Sequence, residues 1–290
     1  MDNRNTGIVC IVASAFGFAI MATCVRLCDD YGTSVSSFQK SFFRNLVAFF
    51  LALSVFLRGR RAGGFHALNP ASVSAQGWGL LILRSVLGTI GIFANFYALS
   101  HIPIAEGQTL NKTAPFFTVL FAWIFLKENV GWKSLGSLLL AFAGVLLIAK
   151  PGFAGEAAFP LAMGLLGGIA AGAAYTALHA LRRSELSGAV IILFFSAFSC
   201  LAAVPFMIHG FDPMTLAQVA ILFGAGAGAA LGQFGITLAY RYAAPRDIAV
   251  FDYSNIVFTA IFGFVLFGQV PDLVSLVGFI LIFTAALKMR

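Results

Sequence analysis

The feature that most constrains this chain is a succession of long apolar runs separated by short polar links. A helix needs about 20 consecutive apolar residues to cross the hydrocarbon core of a bilayer. Runs of roughly that length recur along the whole sequence. We therefore predict an all-α membrane protein with ten transmembrane helices, at residues 7–28, 36–57, 79–100, 105–126, 132–150, 160–181, 188–208, 215–240, 247–268 and 271–288.

The composition excludes a soluble fold. Of the 290 residues, 60% are hydrophobic and 10% are charged, whereas soluble domains carry about 25% charged residues. The longest link, between Leu57 and Trp78, is too short to form a separate domain. The net charge of +7 does not indicate nucleic-acid binding, because the basic residues lie in the links and form no patch interleaved with aromatic side chains.

The placement of the basic residues predicts the orientation of the chain. Lysine and arginine concentrate in the cytoplasmic links of membrane proteins. The opposite set of helix ends carries only Lys150, so the basic ends and both termini are predicted to be cytoplasmic. The basic ends carry Arg4, Arg58, Arg60, Arg61, Lys127, Lys133, Arg182, Arg183, Arg241, Arg246, Lys288 and Arg290.

Similar segments recur in the same order in the two halves of the chain. The sequence Y-A-L-S-H-I-P at 97–103 parallels A-Y-R-Y-A-A-P at 239–245, and the helices that follow continue at the same offset. Shared order of this kind indicates an internal repeat. Because each half holds an odd number of helices, the halves must be inverted. We predict two five-helix repeats, residues 1–150 and 151–290, around a central cavity.

Two of the predicted helices carry a charge inside an apolar run. The stretch 105–128 contains Lys112 with Pro115 three residues later, and the stretch 246–269 contains Asp252. A charge within a membrane costs a few kcal/mol or more and usually faces a wet cavity. The predicted topology puts Lys112 nearer the outer side and Asp252 nearer the cytoplasm, so they need not be partners. They either hold the two charges of a zwitterion, belong to two gates, or only stabilise packing.

Other polar and small residues are candidates to line or shape the cavity. His179 is either a proton relay or an interfacial hydrogen-bonding residue, and Asn95 either lines the cavity or bonds between helices. Tyr175 is the best candidate for a cavity wall. The predicted cavity residues are Asn95, Asn111, Lys112, Tyr175, His179, Gln233, Thr237, Asp252, Asn255 and Thr259. The predicted packing or hinge residues are Gly17, Gly88, Pro115, Gly172, Gly228 and Gly232.

Four further bases, Arg26, Lys40, Arg44 and Arg84, lie within or at the edges of predicted spans. Lys40 is expected to snorkel to the interface, Arg44 to find a partner or cavity water, and Arg84 to be a lipid-facing anchor near the cytoplasmic interface. No metal or cofactor site is predicted, because the cysteines lack paired metal-binding spacing and are expected to be buried thiols. They are Cys10, Cys24, Cys28 and Cys200.

The segment Y-A-L-S-H-I-P-I-A-E-G-Q-T-L-N-K-T-A-P-F-F-T-V-L-F-A-W-I-F-L-K-E, with the glycine-rich helix after it, resembles the signature of the drug/metabolite transporter superfamily, EamA-type branch. The second half departs from the pattern at Val257, in place of a proline, and at Gln269, in place of a glutamate. In length and layout the chain is most similar to the YddG-type amino-acid exporters. The resemblance implies ten helices in two inverted repeats and export of amino acids or other small metabolites across a bacterial inner membrane.

The sequence therefore predicts a secondary transporter that works by alternating access, as a monomer surrounded by membrane lipid. The alternative is a membrane-embedded enzyme acting on a lipid or lipid-linked substrate. That chemistry would need a cluster of catalytic groups, whereas the four histidines are dispersed over different links and sides. They are His66, His101, His179 and His209.

Overall fold

The computed structural model describes residues 3–61, 73–101, 110–149, 158–184, 186–268 and 272–288. These residues form helices and contain no β-strand. The main helices are α1 (Asn3–Asp30), α2 (Ser37–Arg61), α3 (Ala75–His101), α4 (Ala114–Leu126), α5 (Trp132–Ala149), α6 (Ala158–Ala180), α7 (Gly188–His209), α8 (Leu216–Tyr242), α9 (Ser254–Phe267) and α10 (Leu273–Lys288). A short helix (Pro245–Ile248) and a 3₁₀ segment (Ala249–Tyr253) precede α9, and a second 3₁₀ turn (Leu181–Arg183) follows α6.

The helices confirm an all-helical fold with several membrane-spanning candidates. Within the described ranges, seven helical segments are long and apolar enough to cross a membrane, the broken segment Pro245–Phe267 being one of them. The apolar helices α4, α5 and α10 are shorter. Ten crossings in two inverted repeats therefore stay a prediction. Residues 105–109, 150, 269 and 271, which belong to the predicted repeat and spans, lie outside the described residues.

Helix four is not continuous, contrary to the prediction. Leu110 and Asn111 are helical, a turn follows at Lys112 and Thr113, and α4 then begins at Ala114. Both the backbone N–H and the side-chain hydroxyl of Thr113 donate to the carbonyl of Leu110. Pro115 explains the break, because a proline ring collides with the carbonyl four residues earlier and is tolerated in the first turn of a new helix.

The corresponding region of the second half is also broken. The 3₁₀ segment Ala249–Tyr253 carries Asp252, and α9 starts directly after it at Ser254. The two helices also end alike: the residue after α4, Lys127, and the residue after α9, Gly268, are both left-handed, with φ of 52° and 63°. Two helices of 13 and 14 residues thus start at a break that carries a charge.

The helices pack in pairs drawn from opposite halves of the chain. The most extensive contacts join α1 to α8, α3 to α6, α2 to α7, and α5 to α10. Glycines bring the first pair close: a Cβ on Gly17 would lie 2.6 Å from the backbone N of Gly232 and 2.7 Å from the carbonyl oxygen of Gly228. Small residues permit this kind of backbone approach in membrane helices.

Candidate substrate cavity

A cavity of about 340 Å³ lies between the two helix breaks. Side chains of α1, α2, α3, α6, α7 and α8 complete its wall. It extends to Asp29, Ser34 and Lys40, where α1 ends and α2 begins, and Asp29 and Ser34 are exposed there. We call this end of the molecule the open end. The cavity is therefore a cleft that enters the helix bundle from one side.

The opposite end is filled by a hydrophobic cluster, and we call it the closed end. Ile11, Leu81, Leu178, Ile236 and Tyr240 belong to this cluster and are nearly inaccessible. Each lies about one or two turns beyond the last cavity residue of its helix. Packed apolar side chains of this kind exclude water, so the described residues close the cavity on this side.

A buried histidine bonds three elements together at the closed end. His179, only 1% exposed, has Nδ1 2.8 Å from the Tyr240 carbonyl oxygen and Nε2 2.9 Å from Glu128 Oε1. Arg182 Nη2 lies 3.7 Å from the same carboxylate oxygen. The hydrogen bond to His179 is the main cause that lowers the pKa of Glu128 below its ordinary value. Because the carbonyl only accepts, Nδ1 donates to it, and a proton lies between Nε2 and Glu128.

Lys112 and Asp252 meet in the cavity, although the predicted topology put them nearer opposite sides of the membrane. Lys112 Nζ is 3.7 Å from Asp252 Oδ2, and each residue is 8% exposed. Both helices break at these residues, so each charge lies at the start of a half-length helix near the centre of the bundle. A distance of 3.7 Å is too long for a direct hydrogen bond. The pair is therefore an electrostatic contact that leaves both groups with capacity for a ligand.

Most of the predicted cavity residues do line the cavity. They are Asn95, Asn111, Lys112, Tyr175, Gln233, Asp252 and Asn255. Asn255 also donates from Nδ2 to the carbonyl oxygen of Ala15, 2.8 Å away, which ties α9 to α1. Asn95 Oδ1 is buried and has no hydrogen-bond partner among the described residues. That these residues contact a substrate stays a prediction.

Three of the predicted cavity residues lie outside the lining. His179 belongs to the closed end described above. Thr237 and Thr259 donate from Oγ1 to the carbonyls of Gln233 and Asn255, one turn earlier in their own helices, at 2.7 and 2.8 Å. A threonine on a helical stripe satisfies its hydroxyl in this way without facing a cavity, which is why the spacing alone misplaced them.

The predicted packing residues are found at close helix contacts. Gly17, Gly228 and Gly232 lie at the α1–α8 crossing. A Cβ on Gly172 of α6 would lie 2.6 Å from Phe117 Cβ and 2.9 Å from the carbonyl oxygen of Ala114, both in α4. Pro115 lies in the first turn of α4, and Gly88 is adjacent to Arg84. Hinge motion at any of them stays a prediction.

Arg84 is not lipid-facing, contrary to the sequence expectation. It is 2% exposed and lines the cavity, with its guanidinium 4.1 Å from the centre of the Phe195 ring. A Cβ on Gly88 would collide with Arg84 Nη1, so this glycine makes the room. Arg44 also lines the cavity, over the ring of Phe18 at 5.7 Å. A glycine one turn after an intramembrane arginine was the sequence signal available for an inward side chain.

Lys40 is bound rather than free at the interface. Its ammonium donates to both carboxylate oxygens of Asp29 at 2.8 Å, at the open end. This contact joins the end of α1 to the first turn of α2. Glu128, which was not among the predicted site residues, is the partner of His179. Its position directly after α4 was visible, but its partner on α6 was not.

The helices and the polar cavity between their breaks define a class of protein, the multi-pass membrane transporters of small molecules. Residues 5–150 match the EamA-like transporter family. This chain belongs to the EamA-like transporter family, within the drug/metabolite transporter superfamily. The resemblance seen in the sequence is confirmed, and the chain is a transporter rather than an enzyme.

Relatives and a solved structure agree with this assignment. The chain is 29% identical over 290 residues to the pseudopaline exporter CntI of Pseudomonas aeruginosa, covering 100% of this chain and 97% of that one. It is 28% identical over 260 residues to a riboflavin transporter of Brucella anthropi, with 88% of each chain covered. An S-adenosylmethionine uptake transporter of Rickettsia bellii is 26% identical, covering 88% of this chain and 84% of that one. A crystal structure with 16% identity matches 96% of each chain at a TM-score of 0.77, so it shares the fold.

Proposed function

We propose that this protein is a secondary transporter that exports amino acids or related small metabolites across the bacterial inner membrane by alternating access. The observation that carries the proposal is the cavity between the breaks before α4 and α9. It holds the Lys112–Asp252 pair, opens at one end and is packed at the other. Transporters bind substrate at such sites, where discontinuous helices of two repeats meet near the bilayer midplane.

An inverted repeat of residues 1–150 and 151–290 is part of the proposal. Its support is that the helix contacts are symmetric between the two halves. If each helix is replaced by the one five places along the chain, the α1–α8 contact becomes the α6–α3 contact. The same replacement leaves the α2–α7 and α5–α10 contacts unchanged. The paired breaks before α4 and α9 and the family match to residues 5–150 also support it.

In this proposal the closed end is cytoplasmic and the structure faces outward. The support is the positive-inside rule, because the closed end carries Arg182 and Arg246, as well as Lys127 after α4. Both termini then lie in the cytoplasm. The alternating movement would break the His179–Glu128 contact and bring the helices at the Asp29–Lys40 end together. One chain encloses the cavity, which supports transport by a monomer.

The proposed substrate class follows from the opposite charges in the cavity. An amino acid carries a carboxylate and an ammonium, which match Lys112 and Asp252. The named export activity of the pseudopaline exporter, which aligns with the whole of this chain, supports export. The riboflavin and S-adenosylmethionine transporters bear other substrates in their names, so the panel that tests the proposal must extend beyond amino acids.

The test is flux in proteoliposomes that contain the purified full-length protein. Labelled amino acids, riboflavin and S-adenosylmethionine are each assayed for saturable uptake or efflux against empty liposomes. We expect saturable flux of at least one amino acid. The absence of such flux for every amino acid, in protein that unfolds cooperatively on heating, would contradict the proposed substrate class. Dependence of the flux on an imposed pH gradient separates proton antiport from facilitated diffusion.

A further inference from the structure

The cavity carries more positive than negative charge. Its lining contains the bases Arg26, Lys40, Arg44, Arg84 and Lys112, and the acids Asp29 and Asp252. Lys40 is paired with Asp29, and Lys112 with Asp252. Arg26 is exposed at the open end, over the ring of Phe267. Arg44 and Arg84 remain inside the cavity, and neither forms an ion pair with a carboxylate in the described residues.

Arg84 is buried without a counter-ion. Its Nε has no hydrogen-bond partner in the described part of the chain, and the rings of Phe195 and Tyr175 lie 4.1 and 5.9 Å from its guanidinium carbon. A cation–π contact contributes roughly 0.5 to 2 kcal/mol. Removing an ion from water costs several kcal/mol even after relaxation. The ring contacts therefore offset only part of the cost of placing this charge here.

Arg44 increases the imbalance. It lines the same cavity as Arg84, and its guanidinium carbon lies 5.7 Å from the centre of the Phe18 ring. Two guanidinium groups that face one cavity from α2 and α3 can be neutralised together by an anion between them. Each presents N–H donors in a planar fork that fits the paired oxygens of a carboxylate or a phosphate.

A third group in the cavity is also unpartnered. Asn95 has a buried Oδ1 with no hydrogen-bond partner among the described residues. If its amide is turned, the buried unpaired atom is a nitrogen, so one polar atom is left unpaired in either orientation. A buried polar atom without a partner costs about 1–3 kcal/mol. A ligand that reaches the two arginines while offering a polar group to Asn95 removes both costs.

We infer that Arg44 and Arg84 form an oxyanion-binding subsite, so that the transported molecule is a small organic anion with carboxylate or phosphate groups. The inference rests on the proposed function, since it takes this cavity to be the substrate site. It narrows the substrate class, because metabolites without a carboxylate or phosphate would leave both guanidinium groups without a partner. Acidic amino acids and related carboxylates satisfy both the pair at Lys112 and the two arginines.

The experiment measures thermal unfolding of the purified full-length protein at increasing concentrations of five probes. L-Glutamate and citrate test carboxylates, glycerol 3-phosphate tests a phosphate, and glycerol and putrescine are the neutral and cationic probes, neither of which carries an oxyanion. We expect the anions to raise the unfolding temperature of the wild type, and glycerol and putrescine not to. Comparing glutamate and citrate with glycerol 3-phosphate decides which oxyanion the subsite prefers.

Two variants and a matched control locate the subsite. Arg44→Gln and Arg84→Gln should each weaken the apparent affinity for the anion by about ten-fold or more, the loss expected for a charge-assisted hydrogen bond. Arg183→Gln removes an exposed arginine outside the cavity lining and should leave the affinity unchanged. Without any ligand, Arg84→Gln should unfold at the same temperature as the wild type or higher, because it removes an uncompensated buried charge.

Three results overturn the inference. The first is that none of the three anions stabilises the wild type, and the second is that an anion stabilises Arg44→Gln and Arg84→Gln as much as it stabilises the wild type. The third is that ligand-free Arg84→Gln unfolds at a lower temperature than the ligand-free wild type. The last of these would make Arg84 a packing residue. Flux assays separate this inference from the proposed function. Anion binding without flux of any probe supports the subsite and contradicts transport. Flux of L-leucine or L-lysine without anion binding supports transport and overturns the subsite.

Discussion

The two ion pairs next to α4 differ in their hydrogen bonding. At its closed end, Glu128 Oε1 lies 2.9 Å from His179 Nε2, and the other ring nitrogen of that histidine is bonded to the Tyr240 carbonyl. In the cavity before its first turn, Lys112 stands 3.7 Å from Asp252. The first contact is a short hydrogen bond whose histidine is joined to a third element, although the other carboxylate oxygen of Glu128 has no hydrogen-bond partner among the described residues. The second is long and faces a cavity.

The difference in hydrogen bonding indicates that the two pairs have different roles. A buried histidine that is bonded through both ring nitrogens fixes the elements that carry its partners, whereas a pair at 3.7 Å keeps hydrogen-bonding capacity for a third molecule. The helix between them is short and regular: 13 residues at about 1.5 Å each span roughly 20 Å. We propose that α4 moves as a rigid rod, so that occupation of the cavity at Lys112 shifts Glu128 relative to His179.

The largest expected effect comes from exchanging the charges of the cavity pair. Lys112→Asp combined with Asp252→Lys keeps an ion pair but reverses its direction. We expect stability near that of the wild type and at least a ten-fold loss of flux, because a charged substrate would meet the wrong sign at each end. Lys112→Ala and Asp252→Asn should each lose flux as well. Unfolding temperature and proteoliposome flux are measured together.

The exchange decides between substrate contact and packing. If the double variant restores the flux lost in both single variants, the pair is only a structural contact and the contrast between the two pairs disappears. Arg183→Gln, exposed and outside the cavity lining, serves as the control for changing a charge elsewhere.

A smaller effect on flux and a larger one on stability are expected at the closed end. His179→Ala leaves the Glu128 carboxylate and the Tyr240 carbonyl without their partner. A buried group left unsatisfied costs about 1–3 kcal/mol, so the unfolding temperature should fall by several degrees. His209→Ala is the matched control, since His209 is exposed and contacts only the Pro205 carbonyl of its own helix through Nδ1. Equal unfolding temperatures for the two variants would contradict a fixing role for His179.

The sequence predicted where the helices lie, because hydrophobic length is a property of each segment alone. The predicted span 188–208 begins at the same residue as α7, since Ser187 caps the first turn of the helix by accepting from the Val190 N–H. The two differ by a single residue at the other end. The helix breaks were not foreseen. Apolar residues flank the few polar ones at each break, so a span of sufficient length could be drawn straight through both breaks. Pro115 signalled the first break, whereas Val257 stands at its counterpart in the second half and gave no such signal.

The candidate site was predicted by residue type better than by partner. Most of the polar residues named inside spans line the cavity, because lipid excludes them. Pairing depends on which helices are neighbours, which no single segment reveals. Arg84 was misplaced for this reason. Its depth along α3 suggested an interface, but its guanidinium packs on the Phe195 ring of α7 and occupies the room left by the missing side chain of Gly88.

A third prediction tests whether packing between α4 and α6 keeps the two pairs different. Gly172→Ala adds a methyl group against Phe117 and the Ala114 carbonyl, which should push α6 away from α4 and loosen the His179–Glu128 contact. Overpacking costs about 1–3 kcal/mol, so the unfolding temperature should fall. Gly136→Ala in α5 is the matched control, since nothing lies within 4 Å of its added Cβ. It should be neutral or slightly stabilising, because alanine favours a helix.

If Gly172→Ala is as stable as Gly136→Ala, the α4–α6 contact is adaptable and cannot hold α4 as a rod. A double variant, Gly172→Ala with His179→Ala, sharpens the result. Coupled sites give less than the sum of the two single losses, whereas independent sites give the sum.

The smallest effect is expected from pH, and its sign follows from Glu128. The pKa of this carboxyl is lowered from its ordinary 4.5, first by the hydrogen bond from His179 and then by the charges of His179, Arg182 and Arg246, while burial opposes the shift. A lowered folded-state pKa means that the unfolded chain binds the proton more tightly. The stability that the ionised Glu128 carboxylate contributes to the fold is therefore complete above about pH 4.5 and is lost as the pH falls through the lowered pKa.

Between pH 6 and pH 3 the unfolding temperature of the wild type should fall further than that of Glu128→Gln, in which position 128 cannot titrate. All other carboxyl groups titrate in both proteins, so the difference between the two curves isolates this pair. Parallel curves would mean that Glu128 is not held by His179 in the folded protein, and the contrast with the Lys112–Asp252 pair would then rest on distance alone.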